Sequence, residues 1–400
     1  MGRRIVTGAE GARNLLRVRK PHEHSRVTYV ELFFDLVFVF AVTQVSHFLL
    51  AHFTPIGALQ TLILMLAIWW VWVYTSWITN WLDPELTRVR LMLFALMSAG
   101  LLLSTSIPRA FESRGLSFAL AFVAMQVGRS AFATFTTPRS EPLRLNFVRI
   151  LSWLVISGVF WLAGGALDGT AQIALWLVAL AIEYTGPVAG FYVPWIGAST
   201  TQDWSVEGGH MAERCALFII IALGESIVVT GSTFAGIEWT VTTFGAFAST
   251  LLGAIAMWWI YFHIGVHLGS ERISQSSDPG RLARLAYTYI HLPIVAGIVV
   301  TAVSDEQVLA HPSGHSNIEV TLSTIGGPLL FLIGVLLFKR AVRGHLQPSH
   351  LAGIAVLLAL IPFAPLMAPL ALSIVTTAIL LAVGIWEAVS LGAAARSPVE

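Results

Sequence analysis

Val30-Glu31-Leu32-Phe33-Phe34-Asp35-Leu36-Val37-Phe38-Val39-Phe40-Ala41-Val42-Thr43-Gln44 opens the first long apolar run of the chain and decides its fold. Two acids four residues apart share one face of a helix. A carboxylate inside a bilayer costs roughly 2.5 kcal/mol or more unless it finds a partner, a proton or water. Lipid supplies none of these, so the face bearing Glu31 and Asp35 is expected to point into protein or a wet cavity. Thr43, Gln44, Ser46 and His47 lie further along the same run.

Composition extends this reading to the whole chain. Of 400 residues, 56% are hydrophobic and 11% charged, about half the charged share of a soluble domain. The formal net charge of +1 gives no case for a nucleic-acid partner. The lone Cys215 lies in an apolar run, which excludes a disulfide within the chain. The first 29 residues are basic, and no small-residue cleavage site follows a short apolar core, so no cleavable signal is expected.

Runs of about 20 apolar residues can cross a bilayer as helices. Twelve are expected, over 30–52, 58–80, 89–106, 116–136, 147–165, 172–192, 211–234, 242–265, 284–303, 319–338, 350–367 and 370–392. Pro362-Phe363-Ala364-Pro365-Leu366-Met367-Ala368-Pro369 reads as a tight apolar turn between the last two, because proline ends helices. The longest loops, 193–210, 266–283 and 304–318, leave no room for a soluble domain. Of the 23 Lys and Arg residues, all but Arg109, Arg114 and Arg129 count with the termini and the even-numbered loops, Arg17, Arg149, Arg214 and Lys339 among them. That asymmetry places both termini in the cytoplasm of a multi-pass protein of the plasma (inner) membrane.

The halves echo each other. Glu31 answers to Glu213, Trp69-Trp70-Val71-Trp72-Val73-Tyr74 to Trp258-Trp259-Ile260-Tyr261-Phe262-His263, Arg90-Leu91 to Arg284-Leu285, and Glu183 to Glu387. The order and depth are kept, as in two six-helix repeats running the same way; chance recurrence of aromatic and acidic residues is the alternative. The expected organisation is a basic segment over 1–29, repeats over 30–192 and 211–392, a linker over 193–210 and a tail over 393–400.

Candidate site residues are the acids within spans. Glu225, in Leu223-Gly224-Glu225-Ser226-Ile227, lies fourteen residues beyond Met211, roughly 20 Å at 1.5 Å per residue, near or past the midplane. It reads as a proton, ion or substrate site, or as a structural interhelix pair. Asp35 and Glu31 read as an ion or proton site, or as partners of basic loop residues. Glu183 precedes Pro187, which is expected to kink its helix. Arg129, near Gln126 in the fourth span, would balance Glu183 or Glu225, or snorkel to the interface. His210, Glu213, His263, His267 and His291 are expected near the cytoplasmic ends of their spans. His263 and His267, four apart, form a weak metal pattern that no second spaced pair joins.

On Glu31-Leu32-Phe33-Phe34-Asp35-Leu36-Val37-Phe38-Val39-Phe40-Ala41 and Glu213-Arg214-Cys215-Ala216-Leu217-Phe218-Ile219-Ile220-Ile221-Ala222-Leu223-Gly224-Glu225-Ser226-Ile227, the chain resembles the bacterial low temperature requirement protein A family over roughly residues 22–390. The resemblance implies a polytopic membrane protein and no settled activity. Phe33-Phe34-Asp35-Leu36-Val37-Phe38-Val39-Phe40-Ala41-Val42-Thr43 also resembles the first helix of endolysosomal-type potassium channels, with Phe34 in place of a serine and Leu36 in place of a glycine.

The expected function is a transporter or channel for an ion or small solute, proton-coupled through Glu225, with Asp35 and Glu183 lining the cytoplasmic half of the path and Ser226, Glu31 and Glu213 as further site residues. Alternatives are a structural or sensory membrane protein without turnover, and a membrane enzyme using the His/Glu set. No cofactor is expected; the partners are the lipid bilayer, the transported ion or solute and, as a homo-oligomer, a second copy of the chain.

Overall fold

The computed structural model describes residues 15–17, 26–201, 204, 206–263, 276 and 278–394. Among them lie twelve helices and no strand beyond isolated bridges: α1 Tyr29–Ala51, α2 Pro55–Trp81, α3 Thr87–Ser106, α4 Gly115–Thr136, α5 Pro142–Gly165, α6 Gly169–Thr185, α7 Gly208–Ala235, α8 Val241–Phe262, α9 Pro279–Ala310, α10 Ile318–Arg343, α11 Pro348–Leu360 and α12 Pro369–Ala394. With the 3-10 turn that extends α11, eleven are long and apolar enough to cross a membrane; α6 has 17 residues.

Local chemistry sets the ends. Thr54 accepts a hydrogen bond from Gly57 N at the start of α2, with Pro55 in the first turn, where a missing N–H costs nothing. Thr240 and Thr243 form a capping box on α8, and Asn317 caps α10 through Val320 N. Gly344 closes α10 in the left-handed region at φ 84°.

Three expectations about extent change. Pro187 does not kink a longer sixth helix: α6 stops at Thr185, because proline disfavours helix in the residue before it. Asp305 belongs to α9 and not to the loop over 304–318, since α9 runs on to Ala310. Around Pro362 and Pro365 the chain forms a 3-10 turn, Ile361–Leu366, before α12 begins at Pro369. Within α9, residues Arg284–Ile290 widen into a π turn just ahead of Pro293, whose ring crowds the carbonyl one turn back.

Internal contacts divide the chain into two units, Met1–Phe48 with Thr54–Arg214 and Ser277–Arg281, and Leu49–Phe53 with Cys215–Ser276 and Leu282–Glu400. In the first unit α2 packs on α4 and α6, while α3, α4, α5 and α6 pack in succession. Ala67 to Ser76 of α2 are all buried, as befits a helix enclosed on every side. Residues Leu15 to Arg17 lie along the end of α2, with Arg17 N donating to Trp81 O at 2.8 Å and Asp83 N to Leu15 O at 2.9 Å.

In the second unit α8 packs on α10 and α12, and α9, α10, α11 and α12 pack in succession. The α9–α10 contact requires glycine. A Cβ on Gly297 would fall 2.5 Å from Phe331 N and 2.8 Å from Gly327 O, and one on Gly327 would fall 2.7 Å from Thr301 N. Small residues let membrane helices approach this closely, where dispersion replaces the absent hydrophobic force.

Gly297→Val is expected to cost about 1–3 kcal/mol through overpacking. Gly326→Ala, whose added Cβ meets nothing within 4 Å, should leave the unfolding midpoint of detergent-solubilised protein unchanged. Equal midpoints for the two variants would remove the close-approach explanation.

Candidate functional site

Buried charge in the described residues gathers into discrete clusters. The first surrounds the opening acids. Thr28 donates to Glu31 Oε2 from both N and Oγ1, each at 2.9 Å, so Glu31 closes the first turn of α1. Arg17 reaches the same oxygen at 3.1 Å while its Nε donates to Thr79 O at 2.7 Å. His210 Nε2–H donates to Glu31 Oε1 at 2.8 Å. Its Nδ1 accepts from Asn80 at 3.3 Å, and an acceptor at Nδ1 with a donor at Nε2 is the neutral imidazole. Glu207 caps the start of α7 through Gly209 N and His210 N, which fixes the imidazole's position.

Arg214, on the first turns of α7, stands between the two acids. It lies 3.3 Å from Glu31 Oε1 and donates to Asp35 Oδ1 at 2.7 Å. Trp72 Nε1 donates to the same Asp35 oxygen at 2.7 Å, and the guanidinium sits 5.8 Å from the Trp72 ring centroid, within cation–π range. Glu31, Asp35, His210 and Arg214 are all fully buried. Among the described residues, the two carboxylates of Glu31 and Asp35 face the two guanidinium groups of Arg17 and Arg214. Arg214 and Arg17 are thus interior partners, where the sequence reading counted them with loops and termini. Arg17 in the basic N-terminal segment and Arg214 near the start of a span look exposed from sequence, and only the fold reveals the acids opposite. Glu213, next to Arg214, instead accepts from Val27 N at 3.1 Å and holds the approach to α1.

The second cluster belongs to α4, α5 and α6. Glu183 accepts from Ser157 Oγ at 2.7 Å, Trp161 Nε1 at 3.0 Å and Gln126 Nε2 at 3.0 Å. Arg129 donates to Gln126 Oε1, to Val71 O at 3.2 Å and to Thr75 Oγ1 at 3.1 Å, and lies 5.3 Å from the Tyr74 ring centroid. Gln126 therefore relays between the guanidinium and Glu183, its amide donating to one and its carbonyl accepting from the other. Arg129 is 0% exposed and does not snorkel; within this unit its charge faces Glu183 through that amide.

In the second unit Glu225 is buried on α7, and the neighbouring Ser226 donates to Asp305 Oδ2 of α9 at 3.3 Å. Asp305 is buried. A cavity of about 10 Å³ beside Ser226 is also lined by Thr230 and Thr250, room for about one water. Sequence reading missed Asp305 because Ser304-Asp305-Glu306-Gln307 looks like a loop start; the uninterrupted apolar spacing behind it was the available signal. A further pair joins α10 and α12: Lys339 donates to Glu387 Oε2 at 2.5 Å and to Ile260 O at 3.0 Å, with His350 Nε2 at 3.5 Å. Lys339, too, is an interior residue and not a loop cation.

The histidines do not gather as a metal set. Among the described residues no three His, Cys, Asp or Glu side chains converge as metal ligands. His210 serves Glu31. His291 Nδ1–H donates to Ala286 O at 2.7 Å, and its Nε2 accepts from Tyr261 at 2.8 Å. His263 ends α8, stacked on Trp259, and His267 lies outside the described residues.

Paired and hydrogen-bonded charges buried within long apolar helices define a polytopic integral membrane protein. The chain belongs to the bacterial low temperature requirement A (LtrA) family, whose profile matches residues 26–385. It is similar to an uncharacterised protein of Rhizobium meliloti (strain 1021), 42% identical over 377 residues that cover 94% of this chain and 92% of that protein. No solved structure matches the chain.

Arg214→Gln leaves Asp35 buried opposite a neutral amide and is expected to cost about 3–5 kcal/mol. Adding Asp35→Asn to it should recover part of that loss. Unfolding in detergent checks both; strictly additive losses would show that the two side chains are not coupled.

Proposed function

We propose that this LtrA-family protein is a transporter or channel for an ion or small solute, coupled to protons at Glu225, Ser226 and Asp305. The observation that carries the reading is Asp305. It is buried, its hydrogen bond comes from the Ser226 hydroxyl, and no Lys, Arg or His among the described residues forms an ion pair with it. A carboxyl so placed inside a membrane helix needs a proton or a cation to reside there. Glu31, Asp35 and Glu387 instead lie opposite basic residues, and Glu183 is held by three donors. Asp35, Glu183, Glu31, Glu213 and Arg129 then serve as the framework, while the α7–α9 acids load and release the proton. This moves Asp35 and Glu183 from the transport path, where the sequence alone put them, to its support.

We read the packing as a duplication, which favours the same class: α2 packs on α4 and α6, α8 packs on α12 and more lightly on α9 and α10, and α3 to α6 succeed one another as α9 to α12 do. Parallel six-helix repeats of this kind are common in secondary transporters. In the proposed orientation the basic loops and both termini face the cytoplasm. The membrane-enzyme reading loses support, since His210 and His291 are each held by two hydrogen bonds within the fold.

Proteoliposomes holding a pH-sensitive dye, under an imposed pH gradient and challenged in turn with Na⁺, K⁺, phosphate and amino acids, test the proposal. The wild-type protein is expected to dissipate the gradient with one of these classes. Asp305→Asn and Glu225→Gln should lose at least tenfold in that flux while keeping their unfolding midpoints. Unchanged flux in both variants would overturn the assignment, and no flux with any probe would favour a protein without turnover.

A further inference from the structure

We propose that the α4–α5 corner of the first unit binds the phosphate headgroup of an anionic phospholipid. A cavity of about 480 Å³ opens there, lined by Arg139, Arg144, Arg149, Glu141 and Asn146. Its positive charge exceeds that of its one acid, Glu141, and none of the three arginines forms an ion pair among the described residues. Arg149 is 8% exposed, yet among the described residues its guanidinium donates only to neutral acceptors: Gly197 O at 3.1 Å, Ile196 O at 2.8 Å and Asn146 Oδ1 at 2.8 Å. Arg144 donates through Nε to Thr134 O at 3.2 Å. Arg139 is exposed and makes no ion pair among the described residues. Three guanidinium groups against the single Glu141 leave a surplus of two positive charges around the cavity. The same protein places an acid opposite Arg17, Arg214 and Lys339 and faces Arg129 with Glu183 through the Gln126 amide; Arg149 has neither arrangement among the described residues, which leaves its charge open to an outside anion. Guanidinium suits a phosphate because its planar donors engage two oxygens at once.

The surroundings fit a lipid and not a free ion. The cavity lies at the ends of two apolar helices, where headgroups sit. Phe135 at the end of α4 is 77% exposed and Leu145 at the start of α5 is 46% exposed, giving acyl chains an apolar wall beside the arginines. The two carbonyls that hold Arg149 belong to a turn whose Trp195 is fully exposed and whose Tyr192 is largely so. Such amphipathic rings concentrate at the membrane interface, and basic pockets between membrane helices hold anionic headgroups. The turn is anchored independently, with Trp153 Nε1 donating to Tyr192 O at 3.0 Å and Ser199 N to Gly190 O at 2.8 Å. The turn that holds Arg149 therefore does not depend on the ligand for its shape.

The test is native mass spectrometry of the purified full chain in detergent, titrated with phosphatidylglycerol, phosphatidylcholine and inorganic phosphate. Wild-type protein is expected to retain phosphatidylglycerol at least tenfold more tightly than phosphatidylcholine and to show no comparable binding of phosphate. Arg139→Gln with Arg144→Gln should abolish that preference. Arg88→Gln, an exposed arginine that does not line the cavity, should keep it. An unfolding midpoint raised by phosphatidylglycerol in wild type and not in the double variant provides a second readout should the variant fold poorly enough to lose signal. Phosphate binding as tightly as the lipid, or a lipid preference unchanged in the double variant, overturns the proposal.

Discussion

The structure depends on how charge is held where water is absent. Arg214 is the clearest instance: one guanidinium, 2.7 Å from Asp35 and 3.3 Å from Glu31, makes two carboxylates tenable inside apolar helices. Breaking such a pair leaves a buried charge alone, which costs far more than the pair contributes. Attraction of this kind is directional, whereas lipid-facing apolar surface does not distinguish one helix pairing from another. The ion pairs of α1 with the start of α7, and of α10 with α12, therefore specify which helices meet. Close glycine contacts such as Gly297 against Phe331 then set how near they come.

The clusters differ in how their charge is met. Around Glu31 and Asp35 the charges balance. Around Glu183 a glutamine amide stands between acid and arginine, and an amide can donate and accept at once. At Asp305 the partner is a hydroxyl, which stabilises either protonation state. A balanced cluster resists change, while a hydroxyl-bonded acid can gain or lose a proton without stranding a counter-ion. The α4–α5 corner shows the reverse imbalance, three arginines against the single acid Glu141.

Helix-length apolar runs were legible because a bilayer demands them, and the twelve helices lie where the runs fall, with ends shifted by up to seven residues, as at Thr185 and Ala310. The ends were less legible. Asp305 and Lys339 carry charge in the last turns of long helices, and charge there resembles the start of a loop. Pro187 was visible, but a proline kinks a helix that continues beyond it and ends one that does not. Here the residues after it form a turn, so the helix ends. The partner of Asp35 was harder still. Arg214 lies 179 residues away, and nothing local to either residue indicates the other.

By itself, the sequence determined that this chain is a membrane protein, because apolar runs of this length have no other stable home, and that its interior acids need compensation, because lipid offers none. The two long motifs around Glu31 and Glu225 were enough to identify its family. Tertiary structure decided which compensation each acid receives: guanidinium for Asp35, a relayed amide for Glu183, ammonium for Glu387, a hydroxyl for Asp305. That choice rests on angstrom-scale distances between helices remote in sequence, which periodicity and composition do not encode.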